Sequence, residues 1–218
     1  MATKIAFEQG KQRVFAWALD WPGWCRSART EELAMEALAT YLPRYAPVVT
    51  KAGLKLPARA GRDFDVVERV PGSATTDFGA PGTVAPSDET RVTPAQARRL
   101  VALVEASWAV FDRVAAKAPA ALRKGPRGGG RDRDKMIEHV IGAEAGYARK
   151  IGVRHRQPAL GDKAALAELR KEILAVLGDR SDGSPPVAKG WPPRYHARRS
   201  AWHALDHAWE MEDRSEPG

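Results

Sequence analysis

Apolar positions along the first 70 residues follow strand spacing and then shift to helix spacing. KIAFEQ (residues 4–9) and QRVFAWALD (residues 12–20) are two runs of β-favouring residues. The short polar turn at Gln9, Gly10 and Lys11 between them predicts a hairpin. A third short strand is expected after Pro22 and Gly23. Thr30 can then cap a helix whose first turn carries Glu31 and Glu32, acids that complement the positive end of the helix dipole. Leu38, Tyr41, Leu42 and Tyr45 mark its apolar face, and Pro43 and Pro47 put its end near residue 45. DFDVVERV (residues 63–70) can return as a fourth strand, so the first half reads as βββα with that extra strand.

The period changes again after a stretch with none. PGSATTDFGAPGTVAPSDETRV, from Pro71 to Val92, is dense in Gly, Pro, Ser and Thr and reads as a linker. Beyond it, Thr93, Pro94, Ala95 and Gln96 form a capping box with proline at the first helical position. Leu100, Val104, Trp108, Phe111 and Ala115 follow on one face, up to a stop at Pro119. Asp134 can cap a second helix carrying Ile137, Val140, Ile141 and Ala148, and Asp162 a third carrying Leu166, Leu169, Ile173, Val176 and Leu177, closed by Gly178. Trp191, Pro192 and Pro193 introduce a fourth, running to about Asp213 with Trp202, Leu205 and Trp209 as its apolar stripe. Four amphipathic helices in so short a span indicate a bundle.

Composition narrows the class. The chain has 218 residues, 44% hydrophobic and 28% charged, which suits a soluble globular protein of one large or two small domains. No run approaches the eighteen or more apolar residues of a membrane span. A single cysteine excludes an internal disulfide, and the N-terminus has no signal-like segment, so the expected location is cytoplasmic. The formal charge of +8 lies wholly in the second half, where basic residues are interleaved with acids along Arg- and Ala-rich helices, the pattern of a solvated surface. Nucleic-acid binding is disfavoured because no base-reading or single-strand-binding motif accompanies that charge.

In the first half, DWPGWCRSARTEELAMEALATYL (residues 20–42) resembles HicB-like domains, in which a strand, a Pro-Gly-Cys-like turn, a Thr-Glu-Glu start and an Ala/Leu-rich helix occur in this order. Here Trp24 stands inside the Pro-Gly-Cys spacing, and no helix-turn-helix or ribbon-helix-helix segment accompanies the domain. DNA binding of the antitoxin kind is therefore not expected of it. Cys25, with no histidine or basic cluster beside it, reads as a packed thiol, and Trp17, Trp21 and Trp24 as a small core.

His203 and His207 stand four residues apart, so on a helix both imidazoles leave one face about a turn apart and can bind one ion. Glu210 continues that face. His139, flanked by Glu138 and Glu144, can face them from the second bundle helix. From spacing alone, surface decoration, or a pair satisfied by nearby carboxylates such as Asp206 and Glu210, is favoured over metal binding. The segments IEHVIGAE (residues 137–144) and WHALDH (residues 202–207) resemble the DinB superfamily, with its histidine central in helix two and its His-x-x-x-His in helix four. That resemblance covers about residues 92–214. It implies His139, His203 and His207 as ligands of a divalent metal (zinc, nickel or iron), in a superfamily that includes metal-dependent transferases and isomerases using a low-molecular-weight thiol. His196 and His155 read as surface residues or partners outside the ligand set.

The expected fold class is therefore α+β: a HicB-like βββα(β) domain over residues 1–70, a linker over 71–91 and an all-α DinB-like four-helix bundle over 92–214. Glu144 and Glu210 are the candidates for acid–base catalysis or for orienting histidine N–H groups. Arg127, Arg131 and Arg133, in a glycine-rich loop, could hold an anionic cofactor because guanidinium forks match carboxylates and phosphates; a solvated loop is the other reading. Two functions remain open at this level. One is an enzyme acting on a small-molecule substrate with a thiol. The other is a non-catalytic protein whose first domain binds a partner and whose metal is structural or lost. A homodimer through an exposed bundle face is compatible with either.

Overall fold

The computed structural model describes residues 2–125 and 130–215, and over them the protein is mixed α+β. Strands β1 (Thr3–Gln9), β2 (Val14–Ala18) and β3 (Cys25–Ala28) are followed by helices α1 (Glu31–Thr40) and α2 (Leu42–Lys51), and then by β4 (Phe64–Pro71). The sheet runs β3-β2-β1-β4, with β1 antiparallel to β2, β2 antiparallel to β3, and β4 parallel to β1. The hairpin, the strand after Pro22 and Gly23 and the returning fourth strand thus form where they are expected. β2 is buried at every position because both faces of the sheet are covered. Ile5, Phe7, Val14, Ala16 and Ala18 face a core shared with Leu38, Tyr45 and Val48, whereas Ala6, Phe15, Trp17 and Cys25 face Val70, Ala85 and Trp202.

The helix expected to end near residue 45 is two helices. Thr30 caps the first as expected, its hydroxyl accepting from the Leu33 N–H, but that helix stops at Thr40. Pro43 opens α2 within its first turn, where a missing N–H costs nothing, and Pro47 lies inside it. Burial of Tyr45, Val48 and Val49 holds this second helix against the sheet in spite of its prolines.

The segment expected to be a linker is a folded strap. It contains α3 (Ala74–Phe78) and a 3-10 turn, Pro86–Glu89. Its composition argues against a long helix but not against order, because polar groups of the two halves engage it. Glu8, buried on β1, accepts hydrogen bonds from the N–H groups of Gly82 (2.9 Å) and Thr83 (3.0 Å). At the other end, Asp88 forms a buried ion pair with Arg198 and accepts from the Ala85 N–H at 3.0 Å.

Four long helices complete the chain: α4 (Pro94–Lys117), α5 (Arg133–Ala148), α6 (Lys163–Gly178) and α7 (Pro193–Ser215). Each of α4 and α5 packs on both α6 and α7 around one apolar core. The Thr93 capping box forms, and Asp162 caps α6 through the Ala165 N–H at 2.9 Å. At α5 the cap position belongs to Asp132, not Asp134. The Asp132 carboxylate makes no cap bond because it is taken by the Leu122 N–H (3.2 Å) and the Lys124 ammonium (2.8 Å).

The bundle and the sheet share a core. Leu103, Ala106, Val110, Leu205 and Trp209 pack in one cluster with the sheet face and α1–α2. The turn at Gly23 approaches α7 so closely that a Cβ there would stand 2.6 Å from Leu205 Cδ1, and its φ of +92° also requires glycine. Among the described residues no helix is long and apolar enough to cross a membrane.

Candidate metal centre

α5 and α7 pack side by side, and the face of α7 that meets α5 carries His203 and His207 one turn apart. His139, in the second turn of α5, completes the group: the three side chains offer ligand atoms that all lie within 4.8 Å of one another. The Nε2 atoms of His139 and His203 are 3.2 Å apart. Two nitrogens each about 2.05 Å from one ion at the tetrahedral angle would be separated by roughly 3.3 Å. The third histidine is held by a partner. His207 Nδ1 lies 2.9 Å from Glu210 Oε2, and Glu210 in turn accepts from Arg214 Nη1 at 2.8 Å. A carboxylate on Nδ1 fixes the tautomer and leaves Nε2 as the donor, the way ligand histidines are oriented.

Electrostatics keep the rings in their ligating form. Burial, the His207 ring and the Arg131 guanidinium together lower the His139 pKa to about 4, against the pull of Glu210. His203 is held well below its ordinary value, first by burial and then by His207, His139, Arg199 and Arg131. At neutral pH both are neutral imidazoles with lone pairs free for a cation. The contact with His207 first, and the hydrogen bond from Arg214 after it, lower the Glu210 carboxyl against the opposing effect of burial, so it stays an ionised acceptor.

Of the two carboxylates expected at the site, only Glu210 is there, and its contact is with a histidine ring. Glu144 points elsewhere. It is buried against α6, bonded through both oxygens to Arg170 at 2.9 and 3.0 Å, and Arg170 also grips Asp112. Burial raises the Glu144 carboxyl against the opposing effect of Arg170. On a helix, five residues from His139 is well over a quarter-turn away, which the flanking sequence alone did not weigh.

The arginines divide in the same way. Arg127 lies outside the described residues. Arg133 is spent on Asp134 (2.8 Å) and the Ala118 carbonyl (3.1 Å). Of the two that are described, Arg131 is the one that acts on the histidines. His155 is part-exposed, its Nδ1 2.6 Å from the Arg156 carbonyl. His196 is not a surface residue: it is completely buried, with neither ring nitrogen hydrogen-bonded, and burial lowers its pKa to about 3. Cys25 is buried as expected, and burial pushes its thiol up to about 12, which disfavours the reactive thiolate.

Sequence reasoning missed two neighbours. Tyr147, two turns beyond His139, has its ring 5.7 Å from that of His203. Arg199, one turn before His203, lies over the Tyr147 ring at 5.6 Å. Helical spacing from the histidines would have found both. Comparison with protein-family models, with curated proteins and with solved structures gave no match.

Proposed function

We propose that the protein binds one divalent transition-metal ion through His139, His203 and His207, and that it is a DinB-type, metal-dependent transferase or isomerase that uses a small thiol. The observation that carries this reading is the convergence of three imidazoles from two helices at ligand spacing, with His139 and His203 held in neutral form. The order of four bundle helices, with histidine in the second and His-x-x-x-His in the fourth, supports the DinB assignment. The order of β1, β2, β3, α1 and β4 supports a HicB-like first half.

The donor set fits the ion. Three imidazoles suit zinc, nickel or iron, and a three-histidine set leaves room for a further ligand, as catalytic sites do. An ion bound there would lower the pKa of a thiol or water beside it and supply a nucleophile near neutral pH. The chain's own groups do the rest. Glu210 orients His207 and is itself held by Arg214, while the buried walls around His203 limit the access of bulk water.

The test is metal content of tag-free protein purified without chelator, wild type against the His203→Ala, His207→Ala double variant. One equivalent in wild type, lost in the variant, is the expected result. Wild type that is metal-free and fails to take up zinc or nickel would overturn the reading.

A further inference from the structure

The three histidines account for a metal but not for the cations around them. α7 presents Arg199, His203 and His207 at successive four-residue steps, so the guanidinium stands one turn from the ligand pair on the same face. Arg199 is half-buried, held at its Nη1 by the Pro81 carbonyl of the strap (2.8 Å) and flanked by the rings of Trp202 (4.8 Å) and Tyr147 (5.6 Å). Among the described residues it makes no ion pair, and neither does exposed Arg131 across the site. Two other arginines of α7 do, Arg198 with Asp88 and Arg214 with Glu210, whereas Arg194, away from the histidines, bonds only to the Thr90 and Arg91 carbonyls. The carboxylates nearest the histidines are already engaged, Glu210 by His207 and Arg214, and Asp206 by Arg26.

Arg199, a cation with no carboxylate partner one turn from a site for a dication, would repel the ion unless an anion offsets it, and Arg131 adds to that positive field. The surface of α5 next to Tyr147 is open: Gly146 lies seven residues after His139, on nearly the same face, and among the described residues nothing stands within 4 Å of where its Cβ would be. Arg199 is fixed from the strap side by a single carbonyl, which leaves other N–H groups of its fork for a second acceptor.

We infer that the small molecule this site accepts carries a carboxylate, seated on Arg199 beside Tyr147 with Arg131 adding longer-range attraction, while its reacting group faces the three histidines. This rests on the metal reading above. It assigns Arg199 as a specificity-determining residue and makes the strap, through Pro81, part of the site.

The experiment loads the full-length protein with cobalt(II) and titrates it with 3-mercaptopropionate and, separately, with the matching neutral amide, following thiolate-to-cobalt charge-transfer absorbance. The acid is expected to bind about tenfold more tightly than the amide, the discrimination of one charge-assisted hydrogen bond. In Arg199→Gln the preference should fall close to unity with cobalt content unchanged, and Arg199→Lys should restore part of it. Arg131→Gln, exposed and thus free of folding consequences, should reduce it by a smaller factor. Equal affinities in wild type, or a preference that survives Arg199→Gln, would overturn the inference while the metal reading stands. A chain that takes up no cobalt would overturn the metal reading, and this inference with it.

Discussion

Single residues set the chemistry here through burial as much as through identity. Packing withholds water from the charged forms of His139 and His203. His196 shows the same force with no ligand role. Its pKa of about 3 comes from burial alone, whereas the unfolded chain should titrate near its ordinary value of 6.5. Between those values the unfolded state binds the extra proton, so this histidine makes stability fall as pH drops through 6.5 and on toward 3. From pH 7.5 to pH 5.5 its share of the loss is about 1.4 kcal/mol, one pKa unit's worth. Urea unfolding at those two pH values should show wild type losing more than His196→Gln by about that amount. An identical pH dependence in the variant would mean that the imidazole finds a proton acceptor in the native state. Neither the burial of His196 nor the pairing of Glu144 with Arg170 was legible in the sequence, because each depends on which helix packs opposite.

At the scale of elements the legible and illegible parts separate by range. Caps and periods are local, so the Thr30, Thr93 and Asp162 caps and all four bundle helices stand where spacing put them. The break between α1 and α2 was missed because proline reads as a stop, yet at Pro43 it is a start. α5 carries a related signal in Gly142 and Gly146, two glycines in the interior of one helix, each costing up to roughly 1 kcal/mol relative to alanine. Gly142 lies under the Gln157 side chain, whereas Gly146 faces open space with an ordinary helical φ. Gly146→Ala should therefore raise stability by about 0.5–1 kcal/mol, measurable as a shift in urea midpoint. Because the added methyl enters the approach to His139, the same variant should bind thiols to the cobalt-loaded protein more weakly. Unchanged thiol affinity would show that the approach runs elsewhere.

Across the whole molecule, the two halves that the sequence separates are joined more thoroughly than a linker would allow. One core contains the inner sheet face, α1, α2 and residues of α4 and α7. Polar ties repeat the connection: Arg26 to Asp206 at 2.9 Å, Arg44 to Glu212 and Asp213 at 2.8 Å each, and the buried Asp88–Arg198 pair. Composition could not reveal this, because a Gly- and Pro-rich segment looks the same whether it is solvated or laid down between two surfaces. Shared burial makes the halves thermodynamically dependent, since unfolding the sheet would expose Leu103, Val110, Leu205 and Trp209 on the bundle. Cys25, the one cysteine, is buried in the sheet and reports its opening through thiol labelling, while far-UV circular dichroism reports chiefly the helices. The two probes should give coincident urea transitions, the mark of one cooperative unit. Asp88→Ala would leave Arg198 buried without its partner at a cost of about 3–5 kcal/mol, and because that residue belongs to the shared structure both midpoints should fall together. If thiol labelling shifts while the helical signal does not, the sheet and the bundle are separate domains that only touch, and the strap is the spacer its composition suggests.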